Sequence, residues 1–258
     1  MNNELSTIVQ LEVCANSVTS AIAAQDGGAL RVELCENLSE GGTTPSYGQL
    51  LLARKNLHIK LFVLIRPRRG DFLYTDLEFE VMQADIRSCI EIGCDGIVIG
   101  ILNADGTVDK PRCTELVRMA KQWGLGVTFH RAFDMCVDQY QALEDIIEIG
   151  CDRILTSGGK PTAIEGANVL THLVEKAAGR ISIMPGSGIT ENNVADLIHF
   201  TGVTEIHSSA RISNPGKMQY KKDNLLMSDN FTDEYGVDVT SADRVRAILK
   251  AANGKNLK

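Results

Sequence analysis

Four times in this chain a helix-like stretch ends in glycine and a short apolar strand follows. The phrases are Gly28-Ala29-Leu30-Arg31-Val32, Gly93-Cys94-Asp95-Gly96-Ile97, Gly150-Cys151-Asp152-Arg153-Ile154 and Gly202-Val203-Thr204-Glu205-Ile206. Glycine is expected there because it ends a helix in the left-handed conformation without a Cβ penalty. The phrases recur at roughly 50–65 residues, which leaves room in each interval for two strand–helix units.

Apolar runs place strands at 9–14, 30–35, 58–65, 96–101, 126–130, 153–156, 181–184 and 204–207. Helical spacing of apolar residues fills 76–92, 114–122, 139–149, 163–178, 191–200 and 241–252. Eight alternations in a chain of 258 residues predict an α/β fold, a single-domain (β/α)8 TIM barrel spanning 1–258. A doubly wound sheet is the alternative, but no G-x-G-x-x-G follows the first strand and no nucleotide cofactor is implied. From 208 to 239 the pattern breaks into a long, polar, irregular segment, of a length that usually serves function or an interface.

Barrel interiors normally hold branched aliphatics, yet Glu12, Arg31, Glu33, Arg66, His130, Glu205 and His207 sit near the ends of these runs. Alternation assigns their direction. Val32 and Leu34 must face the helices, so Arg31, Glu33 and Cys35 face the barrel axis. Gln10, Glu12 and Cys14 follow by the same rule, as do Phe62, Leu64 and Arg66 on the third strand. Thr128 and His130 share a parity, as do Glu205 and His207. Unpaired charges cannot be buried cheaply. The set is therefore either a structural ion-pair network or a working site at the C-terminal strand ends.

His130 and His207 each suit a general base or metal ligand, and equally a hydrogen-bonded place in the Glu12/Glu33 network. Neither H-x-H nor H-E-x-x-H occurs, so the spacing gives zinc little support. The loops with Ser157-Gly158, Ser187-Gly188 and Ser208 follow strands six, seven and eight, where barrels often bind phosphate; the same glycines also suit tight turns. Cys14 and Cys35 end neighbouring strands with one parity. They are either a soft thiol pair for Cu(I) or two buried apolar residues. The other five cysteines read as packing residues, and a reduced, cytoplasmic protein is expected.

Charge narrows the partners. A net charge of −7 leaves no basic stripe, so nucleic acid is not an expected partner. The strongest apolar run, 61–65, is too short for a bilayer. Met1-Asn2-Asn3-Glu4 lacks the basic start of a secretion signal.

At these residues the chain resembles the CutC family of copper homeostasis proteins. The likeness lies in Leu11-Glu12-Val13-Cys14, Arg31-Val32-Glu33-Leu34-Cys35, Glu40-Gly41-Gly42-Thr43-Thr44-Pro45-Ser46, Ile65-Arg66-Pro67-Arg68, Gly70-Asp71-Phe72, Thr128-Phe129-His130-Arg131-Ala132-Phe133-Asp134, Leu155-Thr156-Ser157-Gly158 and Glu205-Ile206-His207-Ser208-Ser209-Ala210. The resemblance implies a (β/α)8 barrel, cytoplasmic Cu(I) binding with Cys14 and Cys35 as ligands, and a homo-oligomer. One departure is Ala15, where a second cysteine is often found. The alternative from the residues is an enzyme acting on a small anionic or phosphorylated metabolite. Arg31, Arg66, Arg68, Ser157, Gly158, Ser187, Gly188, His207 and Ser208 would then hold the anion. Glu12, Glu33 and His130 would move protons.

Overall fold

The computed structural model of the chain describes residues 8–222, 225 and 234–254. Its order is β1 (Gln10–Ala15), α1 (Val18–Asp26), β2 (Arg31–Leu34), α2 (Tyr47–Asn56), β3 (Lys60–Leu64), α3 (Asp76–Ile92), β4 (Gly96–Ile99) and α4 (Lys110–Lys121). It continues with β5 (Gly126–Phe129), α5 (Gln139–Ile149), β6 (Arg153–Thr156), α6 (Ala167–Ala177), β7 (Ser182–Pro185), α7 (Val194–Thr201) and β8 (Glu205–Ser208). After these come β9 (Arg211–Asn214), β10 (Val237–Thr240) and α8 (Ala242–Asn253).

β1 to β8 form one parallel sheet in the order β7-β6-β5-β4-β3-β2-β1-β8. The sheet curls into the barrel expected from the sequence. Among the described residues β7 and β8 share no hydrogen-bonded ladder, so the ring is nearly but not fully closed. All four repeated glycines take the left-handed conformation, Gly28 at φ 92°, Gly93 at 80°, Gly150 at 92° and Gly202 at 71°. Thr75 and Glu78 close a capping box at the start of α3, satisfying two orphan N–H groups.

Strand alternation sorts the core into two compartments. Val13, Val32, Leu34, Val63, Ile97, Ile99, Val127, Ile154 and Ile206 are buried between barrel and helices, where each fully buried side chain contributes about 1.5–3 kcal/mol. A smaller apolar cluster of Cys14, Cys35, Phe62, Leu64 and Val98 lies apart from it, on the parity read as inward. An added Cβ at Gly96 would meet the Phe62 ring at 2.4 Å, and one at Gly126 at 2.6 Å. The two glycines make the space that Phe62 fills.

The segment expected to be irregular at 208–239 carries a short strand near each end. β9 and β10 pair antiparallel, Arg211 opposite Thr240 and Asn214 opposite Val237. Within it, residues 223–224 and 226–233 lie outside the described residues. All seven cysteines are free, and six of them are buried. No helix among the described residues is long and apolar enough to cross a membrane.

Candidate functional site

Parity predicts the inward-facing charges, and the structure adds their depth. Arg31, Arg153 and Glu205 are the first residues of β2, β6 and β8. They therefore lie toward the N-terminal end of the barrel, not near the strand ends where the sequence reading put Arg31 and Glu205. Arg31 binds Glu12 and, at 2.6 Å, Glu205; Arg153 reaches Glu205 at 3.1 Å. Both guanidinium groups lie over the Phe62 ring, 5.0 and 5.3 Å from its centroid. Burial would raise the Glu12 carboxyl, but Arg31 and His207 outweigh it and hold it at about 2. Burial is likewise outweighed at Glu205 by Arg153 and Arg31. Neither Glu12, Arg31 nor Glu205 lines the cavity described below. Here the charges form a paired network.

One step up the axis the chemistry changes. The ladders set Cys14 opposite Glu33 and Glu12 opposite His207. His207 Nδ1 lies 2.8 Å from Glu12 Oε1, and its Nε2 lies 3.6 Å from Glu33 Oε2. Burial opposes a charged ring, yet contacts with Cys14, Glu12 and Glu33 push His207 well above its ordinary 6.5. His207 is therefore an imidazolium at neutral pH. Burial raises Glu33 despite that neighbour. Cys14 Sγ sits 3.2 Å from Cys35 Sγ. The Cys35 contact and burial raise the Cys14 thiol well above 9, so it stays protonated. A sulfur of Cys14, an oxygen of Glu33 and a ring nitrogen of His207 lie within 4.8 Å of one another.

These groups face a cavity of about 530 Å³ at the C-terminal mouth. Of the residues predicted for the site, Cys14, Glu33, Cys35, Arg66, His130, Ser187, Gly188, His207 and Ser208 line it. His130 lies apart from the Glu12/Glu33 network. Its Nδ1 accepts from the Ala132 N–H at 3.1 Å, so the ring proton is on Nε2, which has no partner. Burial, helped by Arg66, lowers His130 to about 3. The ring is neutral and offers its Nε2–H as a donor. Arg66 Nη1 donates to the Glu40 and Gly42 carbonyls, and Nη2 to that of Gly70.

Arg68, Ser157 and Gly158 are not among the lining residues. Arg68 pairs with Glu78 at 2.5 Å and Asp71 at 3.0 Å, outside the mouth. The loop after β6 already holds an anion, the protein's own Asp134. That carboxylate accepts from Thr156 Oγ1 and from the Ser157 and Gly159 amides, and pairs with Arg131. Gly158 N–H is taken by Thr156 Oγ1. Ser187 and Gly188 are free of such an occupant, and Ser208 Oγ ties their loop through the Ile189 carbonyl. Sequence reasoning missed Phe72, Arg211 and Arg244 in the wall, the two arginines because they arrive from β9 and α8, far along the chain.

Residues 9–212 match the profile of the CutC family. A family protein CutC from Chromobacterium violaceum is 50% identical over 241 residues, covering 93% of this chain and 97% of that protein. The human copper homeostasis protein cutC homolog is 46% identical over 239 residues, 92% and 87% of the two chains. Among solved structures, the CutC protein of Streptococcus agalactiae superposes with a TM-score of 0.74 at 37% identity, covering 78% of this chain and 98% of its own.

Proposed function

Because this chain belongs to the CutC family, and because two thiols meet at the floor of its mouth, we propose that it binds Cu(I) through Cys14 and Cys35 in copper homeostasis. The observation that carries this reading is the 3.2 Å approach of the two sulfurs beside a cavity. Soft thiolates select Cu(I) over harder ions. A linear bridge needs the sulfurs roughly 4.5 Å apart, taking metal–sulfur bonds of ~2.3 Å, so uptake opens the pair by about 1 Å. Glu12 on His207 Nδ1 resembles the carboxylates that orient metal-binding histidines; His207 becomes a third donor only when its Nε2 gives up its proton on metal uptake. Free thiols favour a reducing compartment, and we place the protein in the cytoplasm. The exposed β9 strand is the surface we assign to a homo-oligomer.

The test is an anaerobic Cu(I) competition titration of the reduced protein beside the Cys14→Ser/Cys35→Ser variant, with circular dichroism confirming that both fold. Stoichiometric binding lost in the variant is expected. Equal affinity in the two proteins overturns the reading.

A further inference from the structure

The cavity exceeds what one ion occupies. Its volume of about 530 Å³ falls within the range of about 300–1,000 Å³ typical of small-molecule pockets. The thiols come from β1 and β2; a second pair of lining residues follows β3 and β5. These are Arg66 and His130, each 5% exposed.

Four arginines line the cavity: Arg66, Arg131, Arg211 and Arg244. Arg131 pairs with Asp134, Arg211 with Asp238 and Arg244 with Glu191. Among the described residues Arg66 alone of the four has no carboxylate partner. Its Nη contacts are all to neutral carbonyls, which satisfy hydrogen bonds and leave the charge uncompensated. Its Nε has no partner at all. Tyr74, which feels the Arg66 charge, cannot supply the missing anion, because burial pushes its hydroxyl up to about 12. Buried cations are ordinarily paired, since an isolated one costs several kcal/mol.

His130 repeats the pattern. Its Nε2–H is a buried donor without an acceptor, and its orientation is fixed by the Ala132 amide on Nδ1. The two groups flank one ring: the Arg66 guanidinium lies 5.1 Å and the His130 ring 5.0 Å from the Phe72 centroid. An unpaired cation and an unpaired donor around one apolar ring form half of an oxyanion site. Across the cavity, the Ser187, Gly188 and Ile189 amides have no hydrogen-bond partner among the described residues, so the rest of a ligand finds donors there too.

We propose that this cavity binds a small organic anion whose carboxylate or phosphate oxygens are met by Arg66 and His130. Arg66 and His130 follow β3 and β5, whereas Cys14 is on β1 and Cys35 follows β2, and the proposal does not depend on the copper reading. A neutral histidine donor beside an arginine also stabilises negative charge developing on a substrate oxygen.

Inorganic phosphate and malonate serve as probes, titrated at constant ionic strength into the full-length reduced protein with chloride as control. The readouts are calorimetric affinity and the 15N resonance of His130 Nε2. Saturable binding is expected, with the His130 signal moving in step with occupancy and affinity falling about tenfold in His130→Phe. Because Arg66 also braces loop carbonyls, Arg66→Lys is its companion variant; it keeps a charge, and weakening of about three- to tenfold is expected. A response to phosphate alone assigns a phosphate ligand, and one to malonate alone a carboxylate. The proposal is overturned if neither probe saturates below ~100 mM, or if both variants bind as well as the parent. Cu(I) and anion binding are titrated separately on the parent protein and on His130→Phe, so failure of the copper reading is distinguishable from failure of this one.

Discussion

Glu12→Gln separates the paired network from the mouth above it. Glu12 is 1% exposed, and its two oxygens serve Arg31 and His207 separately. Glutamine keeps the shape but removes the charge, leaving Arg31 with Glu205 alone and His207 with a neutral oxygen. Holding this carboxyl at about 2 instead of 4.5 is worth about 3 kcal/mol of stability at neutral pH. Breaking a buried ion pair by removing one partner costs about 3–5 kcal/mol, so two routes agree. For a domain of this size a loss of about 3 kcal/mol lowers Tm by roughly 6–12 °C. The pH dependence has a definite sign. A carboxyl with a depressed folded pKa stabilises above its unfolded value near 4.5, and that stability is lost as pH falls through about 2. Urea unfolding of both proteins at pH 7 and pH 3.5 should therefore show the gap narrowing by about 1 kcal/mol at the lower pH. The imidazolium of His207 should lose a proton more easily in the variant, read by NMR titration. A gap below about 1 kcal/mol at pH 7, or a His207 titration that does not move, refutes the reasoning.

Cu(I) affinity should rise at least about tenfold per pH unit between about pH 6 and 8, because the Cys14 thiol is protonated throughout and must release its proton on binding. A competition titration flat across that range would exclude Cys14 as a ligand. Gly96→Ala should lower stability by about 1–3 kcal/mol through overpacking, since its Cβ would enter the Phe62 ring at 2.4 Å; an unchanged unfolding midpoint would show that the ring has room to move.

The barrel was legible because its signals are local. Short apolar runs marked the strands, and each repeated glycine stands at the helix-to-strand junction it announced. Parity also brought Cys14, Glu33, Cys35 and His207 together, since their strands are neighbours. What was not legible depends on partners distant in sequence. The β9–β10 ribbon pairs Arg211 with Thr240 across the polar segment, with no short turn to signal a hairpin. Asp134 stands in a conspicuous motif, yet its use is set by amides after β6. His130 could be read as a base until the Ala132 amide on Nδ1 fixed its tautomer. Arg66 could be read as an anion clamp from its position, but only the carbonyls around it show that its charge is unpaired.

An ion-pair network and a working site were rival readings of one set of inward-facing residues, and the structure stacks them. Alternation fixes which way a side chain points but carries no information about height along the axis; that comes from the register between strands. Register sets Glu12 opposite both Arg31 and His207. One Glu12 oxygen neutralises Arg31 on the network side, and the other holds His207 on the cavity side. The network is thus stable because it is paired, and it fixes a charged histidine beside Cys14 and Glu33 where the cavity begins. Arg31 does not line the mouth, yet Glu12 links it to His207, a lining residue beside Cys14.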